Sequence, residues 1–254
     1  MEQNAANELI KLYAKQLRLP SFNIYAKVIQ QLEPNESYAD FLLKLMKTEL
    51  DDRQHTAQEK RIKNARFPTI KTLDEFDTHR QEHISEGCIR ELSSCDFIGK
   101  RQNVIMVGNP GSGKTHLATA LGISACCAGF KVRFCTAGSL ATELSEALQE
   151  NRLSKLERSL SKFDLLIIDE LSYLTFNRSQ SELLFQVISE RSERASVIIT
   201  TNLEFSQWTQ LFENEMMVAA LVDRVTFNSQ ILNLNCTTSY RMETALNGQP
   251  ARRT

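Results

Sequence analysis

The sequence has little net charge, and it lacks a long apolar run and a targeting signal. Its 30 Lys and Arg against 31 Asp and Glu leave a net charge of −1, so the bulk charge neither indicates nor excludes a nucleic-acid partner. Any basic surface must be local. No window approaches the roughly 18 apolar residues that a membrane span requires, and the N-terminus has no basic stretch followed by an unbroken apolar one. We expect a cytoplasmic protein that makes no contact with a membrane.

The sequence also lacks a cysteine motif of the kind that binds metals or carries out redox chemistry. None of the six cysteines forms a C-x-x-C motif, and several lie in apolar runs, which predicts reduced, buried thiols. His79 and His83 stand four residues apart with Cys88 nearby, but a zinc site needs a fourth ligand, and solvated histidines fit the loop-like stretch DTHRQEHISEGC better. The 42% of hydrophobic residues is enough for one sizeable core with a smaller appended domain.

Residues from about 5 to 66 show helical periodicity and no strand pattern. Two amphipathic helices are separated by Leu19-Pro20. A long helix then starts at Tyr38, with Ser37 as a plausible N-cap, and Phe67-Pro68 ends it. The first half of the long helix, FLLKLM, is apolar enough to pack against other helices.

The second half of the long helix is almost entirely polar. Arg53, Lys60 and Lys63 fall near one stripe of it, with Arg66 adjoining. A solvated helix with intrahelical Glu/Lys pairs and a contact with nucleic-acid phosphates both explain this stripe, and the sequence leaves the two open.

From residue 103 the pattern changes to strands that alternate with helices. Four of the five predicted strands are rich in consecutive branched apolar residues, as strands covered on both faces require. This alternation predicts an α/β fold with a doubly wound parallel sheet. The chain divides into a helical N-terminal domain (1–66), a connector (67–100) and an α/β domain (101–254). The predicted strands are 103–107, 131–135, 163–169, 196–200 and 230–234, with helices at 114–128, 139–150, 152–161 and 179–191.

The stretch GNPGSGKT follows the first predicted strand and opens the next helix, and in this context it is a phosphate-binding loop. Backbone N–H groups of such a loop point at phosphate oxygens, Lys114 reaches the β- and γ-phosphates, and Thr115 places its hydroxyl on Mg²⁺. We therefore expect ATP and Mg²⁺ as cofactors. The predicted nucleotide-binding residues of this loop are Gly108, Asn109, Pro110, Gly111, Ser112, Gly113, Lys114, Thr115 and His116.

Two acids end the strand FDLLIIDE. Asp169 is placed to hold the metal, and Glu170 to polarise a water molecule against the γ-phosphate. The alternative is a strand end that simply reaches solvent. A phosphate loop together with Asp-Glu favours hydrolysis, because a small-molecule kinase uses its substrate's hydroxyl as nucleophile and has less need of a water-activating Glu.

Two more polar residues complete the candidate site. Asn202 follows the next strand and can orient the attacking water, with Thr201 as the second choice and a simple turn former as the alternative. Arg224 follows an acid on a later helix. An arginine so far along the chain can complete a neighbour's site in trans as a finger, although by itself it reads as an ordinary surface helix end.

Taken together, GNPGSGKT, LLIIDE, VIITTN and LVDR resemble the AAA+ ATPases. The runs ITTNLEFSQWTQLF, LVDR and TSYR resemble more closely the IstB-like helper ATPases of insertion sequences, relatives of the bacterial helicase loader DnaC. The N-terminal LRLPSF, ARFP and TLDEFD segments agree with this resemblance, which covers about residues 8 to 242.

This resemblance implies an ATP-dependent multimer that binds double-stranded DNA and recruits and stimulates a cognate transposase. It implies catalytic roles for Lys114, Glu170, Asn202 and Arg224, metal binding by Thr115 and Asp169, and a nucleotide contact by Arg241. Few residues follow Arg224, so the helical lid of other AAA+ proteins is expected to be absent or vestigial. A nucleotide-gated assembly switch therefore fits better than a remodelling motor.

Three other functions compete with this expectation. A replicative helicase loader of the DnaC type would act on a hexameric helicase and favour single-stranded DNA. A small-molecule kinase would use the same phosphate loop. A non-hydrolysing interaction module is disfavoured because Lys114, Thr115, Asp169 and Glu170 are all present.

Overall fold

The computed structural model describes residues 2–78, 81, 83–172, 175–212 and 214–236. The chain falls into two units, Met1–Lys60 and Arg61–Thr254, and the division lies inside the third helix. The domain boundaries at residues 66 and 100 stay predictions.

The N-terminal unit is helical, as the sequence predicts. Helix α1 spans Glu2–Gln16, a 3-10 helix spans Pro20–Ile24, α2 spans Tyr25–Gln30, and α3 runs from Tyr38 to Ala65. Pro20 lies at the start of the 3-10 helix, where its missing N–H costs nothing. Ser37 caps α3 as predicted: its hydroxyl accepts from the Asp40 N–H, and the Asp40 carboxylate accepts from the Ser37 N–H.

Polar contacts hold the 3-10 helix against α3. The Ser21 N–H donates to Glu49 (2.9 Å), and the Ser21 hydroxyl donates to Asp52 (2.6 Å). Burial alone raises the pKa of Glu49, but hydrogen bonds from Arg53 and Ser21 outweigh it and lower that pKa.

The expectation that FLLKLM packs is met only in part. Leu45 is buried, whereas Leu42, Leu43 and Met46 are exposed. Leu9, Leu12 and Tyr13 of α1 are exposed too, as is Leu17 just after that helix. The reason is that α1 packs through the small side chain of Ala14 and α3 through Leu45 and Glu49, which leaves an apolar face on each helix open.

The second unit contains a five-stranded sheet in which each neighbouring pair is parallel, in the order β2-β3-β4-β1-β5. This confirms the predicted α/β fold with a doubly wound parallel sheet preceded by a helical region. The strands span Asn103–Val107 (β1), Val132–Thr136 (β2), Leu165–Asp169 (β3), Ser196–Thr201 (β4) and Ser229–Asn233 (β5), each close to its predicted position.

Helices cover both faces of the sheet, and successive strand residues point to opposite faces. Ile105 and Val107 face a core that includes residues of α7, α9 and α10, whereas Val104 and Met106 face a core that includes α4 and α6. The helices of this unit are α4 (Glu86–Ser93), α5 (Asp96–Gly99), α6 (Lys114–Cys127), α7 (Ala137–Gln149), α8 (Leu153–Leu160), α9 (Arg178–Arg194) and α10 (Glu215–Thr226), with a 3-10 helix at Phe205–Gln210.

The sequence predicts no membrane span and does not favour a zinc site. Within the part of the chain that the structure describes, no helix is long and apolar enough to span a membrane, and no cluster of His, Cys, Asp and Glu could hold a metal ion by itself. His79 lies outside the described residues. Residues 237–254 do as well, so the expectation about the lid stays a prediction.

Gly122 tests how tightly α6 packs on the sheet. A Cβ there would come within 2.7 Å of both Ile167 Cδ1 and Phe67 Cε1. We expect Gly122→Ala to lower the free energy of unfolding by about 1–2 kcal/mol, because overpacking outweighs the helix preference of alanine. Gly87→Ala in α4 is the matched control, since its Cβ would have an ordinary 3.7 Å contact and should be neutral or stabilising. Urea unfolding of both variants measures the difference, and equal effects would show that the packing around Gly122 is loose.

Candidate functional site

The phosphate loop connects β1 to α6, and three glycines shape it. Gly111 and Gly113 have positive φ (81° and 94°), which L side chains rarely adopt. A Cβ on Gly108 would lie 2.8 Å from the backbone of Leu234, so no side chain fits there. Gly113 leaves the first turn of α6 without a side-chain cap and without an acid. The N–H groups of a first helical turn have no acceptor within the helix, so this helix start favours an anion.

Lys114 lies across the loop. Its Nζ donates to the carbonyl oxygens of Gly108 (2.6 Å) and Asn109 (2.8 Å). The ammonium group is therefore held at the loop by backbone acceptors, and its predicted contact with the β- and γ-phosphates stays a prediction.

Asp169 is the centre of the hydrogen bonds at the strand ends. It is only 3% exposed, and its carboxylate accepts from the hydroxyls of Thr115 (3.0 and 3.1 Å) and Thr200 (2.5 Å). Three elements, β3, α6 and β4, thus meet at one carboxylate. A buried charge needs such partners, because water no longer solvates it.

Glu170 follows with an unusual backbone conformation, a φ of 59°. Its N–H donates to the Thr200 hydroxyl (2.9 Å), and its side chain is exposed. The backbone of this residue is therefore fixed while its carboxylate reaches the cleft that Lys114 and Thr115 also line.

Asn202 lines the same cleft, as the sequence predicts from its place after β4. Its N–H donates to the Ser172 hydroxyl at 2.9 Å. Its Oδ1 atom is buried and has no hydrogen-bond partner within the described ranges. An acceptor in this position suits a water molecule or another donor in the cleft.

Two hydroxyl residues were missed as site residues by the sequence reasoning. Thr200 bonds both Asp169 and the backbone of Glu170, and Ser172 bonds Asn202 and Thr201. A signal existed for Thr200, because it is a polar residue at the end of a fully buried strand next to a strand that ends in acids. Ser172 gives no such signal.

The connector also contacts the loop, which the sequence did not predict. Gln81 Nε2 donates to the Ser112 carbonyl (3.0 Å), and His116 Nε2 lies 3.0 Å from the Thr72 carbonyl. The Phe76 ring packs edge-on against the His116 imidazole, with centroids 5.4 Å apart. Burial lowers the pKa of His116, which favours its neutral form.

Arg224 lies away from these residues, in the last turn of α10. Its guanidinium sits over the Phe185 ring (5.4 Å), and its Nε is 3.6 Å from Glu193. The next residue, Val225, accepts from the side chain of Asn103 at the start of β1. Five residues of β1, about 17 Å at 3.3 Å each, therefore separate this point from the phosphate loop. Arg241 lies outside the described residues.

Comparison with known proteins decides the family. The family model described as "IstB-like ATP binding protein" matches residues 12–248. The chain belongs to the IstB-like ATP-binding proteins. A relative from Pseudomonas aeruginosa, named an insertion sequence IS21 putative ATP-binding protein, is 37% identical over 223 residues, which cover 88% of this chain and 84% of the relative.

Solved structures show that this IstB-like protein has an AAA+ fold. AMPPCP-bound DnaA from Aquifex aeolicus is similar with a TM-score of 0.57 at 16% identity, covering 73% of this chain and 57% of that one. The DnaC helicase loader is similar with a TM-score of 0.50 at 19% identity, covering 68% of this chain and 98% of that one. At these identities the likeness concerns the fold alone.

Thr200→Val tests the hydroxyl that joins Asp169 to Glu170 in this IstB-like protein. The substitution keeps the shape but removes the donor to a buried carboxylate, so we expect the free energy of unfolding to fall by about 1–3 kcal/mol. We also expect ATP affinity in the presence of Mg²⁺ to fall about tenfold, with little change in its absence. Thr200→Ser keeps the hydroxyl and should behave as wild type. Titration calorimetry with and without Mg²⁺ measures this, and equal losses under both conditions would contradict a role through Asp169.

Proposed function

We propose that this IstB-like protein is an Mg²⁺-dependent ATPase whose nucleotide state controls its assembly on double-stranded DNA, and that the assembly stimulates a cognate transposase. The observation that carries the proposal is the split arrangement of the predicted site. Thr115, Asp169, Glu170 and Asn202 meet at the carboxyl edge of the sheet, whereas Arg224 lies near its amino edge.

The residues at the cleft fit a magnesium nucleotide. The hydroxyl of Thr115 and the carboxylate of Asp169 are oxygen donors, which Mg²⁺ prefers, and they lie 3.0 Å apart. The uncapped start of α6 fits phosphate oxygens. When bound, Mg²⁺ neutralises charge that develops on the phosphates. Thr200 holds the Asp169 carboxylate in place for it.

Each remaining residue has a part in hydrolysis. Lys114 exchanges its two loop carbonyls for phosphate oxygens. The carboxylate of Glu170 accepts a proton from the attacking water, and the Oδ1 of Asn202 orients that water. The fixed backbone of Glu170 keeps the base within the cleft.

Arg224 acts on a neighbouring copy in this proposal. Its side chain is far shorter than the roughly 17 Å of β1 that separates its helix turn from the phosphate loop of the same chain. A guanidinium that stabilises the γ-phosphate must therefore come from a second protomer, which makes turnover depend on assembly.

The comparisons and the N-terminal unit support the DNA and transposase partners. The relative's name places it in an insertion sequence, and one similar structure is titled as the replication initiator DnaA bound to single-stranded DNA. The basic stripe of α3 is weakened as a DNA contact, because Arg53 pairs with Glu49 at 2.6 Å. The open apolar faces of α1 and α3 support a protein contact for the N-terminal unit, and we assign the transposase to it.

Light scattering tests the proposal directly. We expect a discrete multimer only when ATP, Mg²⁺ and a duplex of some tens of base pairs are all present. A protein that stays monomeric under these conditions would contradict it. A protein that assembles only with the replicative helicase would favour the alternative of a DnaC-type helicase loader.

Glu170→Gln separates binding from turnover. The amide cannot accept the proton, so we expect ATP binding to persist, hydrolysis to fall by at least about a hundredfold, and the multimer to stay on DNA. Lys114→Ala is the contrasting variant and should lose ATP-dependent DNA binding. Phosphate release and DNA retention are measured together. Normal turnover by Glu170→Gln would show that another group is the base.

Mixing variants tests the arginine in trans. Arg224→Ala keeps an intact cleft, and Lys114→Ala keeps an intact arginine, so each is inactive alone for a different reason. We expect the mixture to regain part of the turnover, because Lys114→Ala protomers supply the arginine to Arg224→Ala protomers. The control mixes Arg224→Ala with the double variant Lys114→Ala, Arg224→Ala. This partner has no arginine to supply, so turnover should not recover. If neither mixture recovers activity, Arg224 does not act across protomers.

A further inference from the structure

The end of α3 and the segment after it run along α6 in the opposite direction. We call residues 61–76 the strap, and it lies in the same unit as α6. In the last turn of α6, the Cys126 carbonyl accepts from Arg61 Nε at 2.7 Å, at the end of the helix where the dipole favours a cation. Midway along the helix, a Cβ on Gly122 would lie 2.7 Å from Phe67 Cε1, so the Phe67 ring rests on the helix backbone.

The strap ends at the phosphate loop. His116 Nε2 donates to the Thr72 carbonyl at 3.0 Å, since a carbonyl oxygen can only accept. The Phe76 ring packs edge-on against the His116 imidazole, and its Cε2 atom would lie 3.0 Å from a Cβ on Gly113. Gly113 and His116 directly flank the lysine and the threonine of the loop. The strap therefore contacts the chain on both sides of the two residues that are expected to meet phosphate and Mg²⁺.

The strap has little support apart from α6. Residues 66–76, all of them described, form no helix or strand, and Phe76 alone among them is buried. The hydrogen bonds within this stretch are local, from the Thr72 N–H to the Glu75 carboxylate and from the Phe76 N–H to the Leu73 carbonyl. A segment with so few buried contacts opens easily unless its anchor points are held.

We propose that the strap and the phosphate loop stabilise each other. Phe76 and His116 are positioning residues that hold the loop ready for phosphates, and a bound nucleotide in turn tightens the strap. This inference rests on the proposed binding of a magnesium nucleotide at the loop. It adds a route by which the nucleotide acts on the last turn of α3, where the strap begins, and neither the family match nor the cleft assigns such a route.

The physical reason lies in the glycines of the loop. Gly108, Gly111 and Gly113 leave its backbone free to move, and glycine loses more conformational freedom on ordering than any other residue. A ring packed on Gly113 removes part of that freedom before a ligand arrives, and such preorganisation raises affinity. Coupling between two sites is reciprocal, so phosphates that fix the loop must stabilise the closed strap by the same factor.

A segment that only covers α6 is the alternative explanation of these contacts. Such a cover would stabilise the fold, but it would leave the affinity of the folded protein for phosphates unchanged. The contacts of Phe76 and Thr72 fall on the two residues that flank the lysine and threonine, which favours coupling. No residue of the strap, which the structure describes in full, lines the cleft, so the coupling acts through the loop.

The first test compares Phe76→Ala with Phe97→Ala in the full chain. Phe97 is a buried aromatic residue of the same core, in α5, and serves as the matched control. Titration calorimetry with Mg²⁺ measures the affinities for ATP and for tripolyphosphate at a temperature where circular dichroism shows every variant to be folded. We expect Phe76→Ala to weaken both ligands at least about fivefold, as is typical of coupled sites, and Phe97→Ala to stay within about twofold of wild type. If either alanine variant does not fold, the two leucine variants, Phe76→Leu and Phe97→Leu, replace the pair.

Two substitutions of His116 test the hydrogen bond to Thr72. His116→Leu removes the donor, whereas His116→Gln keeps an N–H group near the position of Nε2. We expect His116→Leu to lose affinity for tripolyphosphate as Phe76→Ala does, and His116→Gln to regain most of it. Equal losses in the two variants would overturn the positioning role of His116.

Hydrogen exchange of residues 66–76 tests the reverse direction. Tripolyphosphate has no base or ribose, so any effect it has on the strap must pass through the loop. We expect tripolyphosphate and ATP to slow exchange in this stretch of the wild type, and saturating amounts of either to have little effect in Phe76→Ala. Protection by ATP alone would show that the base or the ribose touches the strap directly and would overturn the inference.

The outcomes separate the two proposals. If the wild type binds neither ATP nor tripolyphosphate, the proposed function fails, and the inference fails with it. If the wild type binds both and the folded Phe76→Ala variant binds them equally well, the strap is only a cover for α6. In that case the inference is overturned and the proposed function stands.

Discussion

The buried carboxylate of Asp169 is the point on which the candidate site depends. It receives hydroxyl groups from Thr115 at the start of α6 and from Thr200 at the end of β4, so it joins the phosphate loop to two strand ends. A buried carboxylate is stable only with such donors. Removing one of them leaves its charge only partly compensated. The same Thr200 hydroxyl accepts the N–H of Glu170, which fixes the next acid as well. The orientation of the whole cleft thus follows from one hydrogen-bond network.

Much of the fold was predictable because its signals are local. The buried strands are contiguous apolar runs, and the glycines of the loop mark a turn that only they can make. Lys114, Asp169, Glu170 and Asn202 were predictable for a related reason, since parallel strands place their carboxyl ends at one edge.

Other features were not predictable because they join distant parts of the chain. The insertion of β4 between β3 and β1 puts Thr200 beside Asp169, and no pattern within either strand encodes that pairing. The contact of Phe76 with His116 joins a polar connector to a helix 40 residues further on. Helical periodicity predicts an apolar face on α1, but it does not show whether another element covers that face. Leu9 and Leu12 of α1 are in fact exposed.

The left-handed backbone of Glu170 has a consequence for how this site can change over time. A φ of 59° is costly for a residue with a Cβ, on the order of 1–2 kcal/mol, and glycine would adopt it freely. Folding stability alone would therefore favour glycine at this position, whereas the proposed proton transfer requires the carboxylate. Selection for stability and selection for the proposed activity therefore favour different residues at position 170. A chain no longer selected for turnover should lose this carboxylate early while keeping its fold.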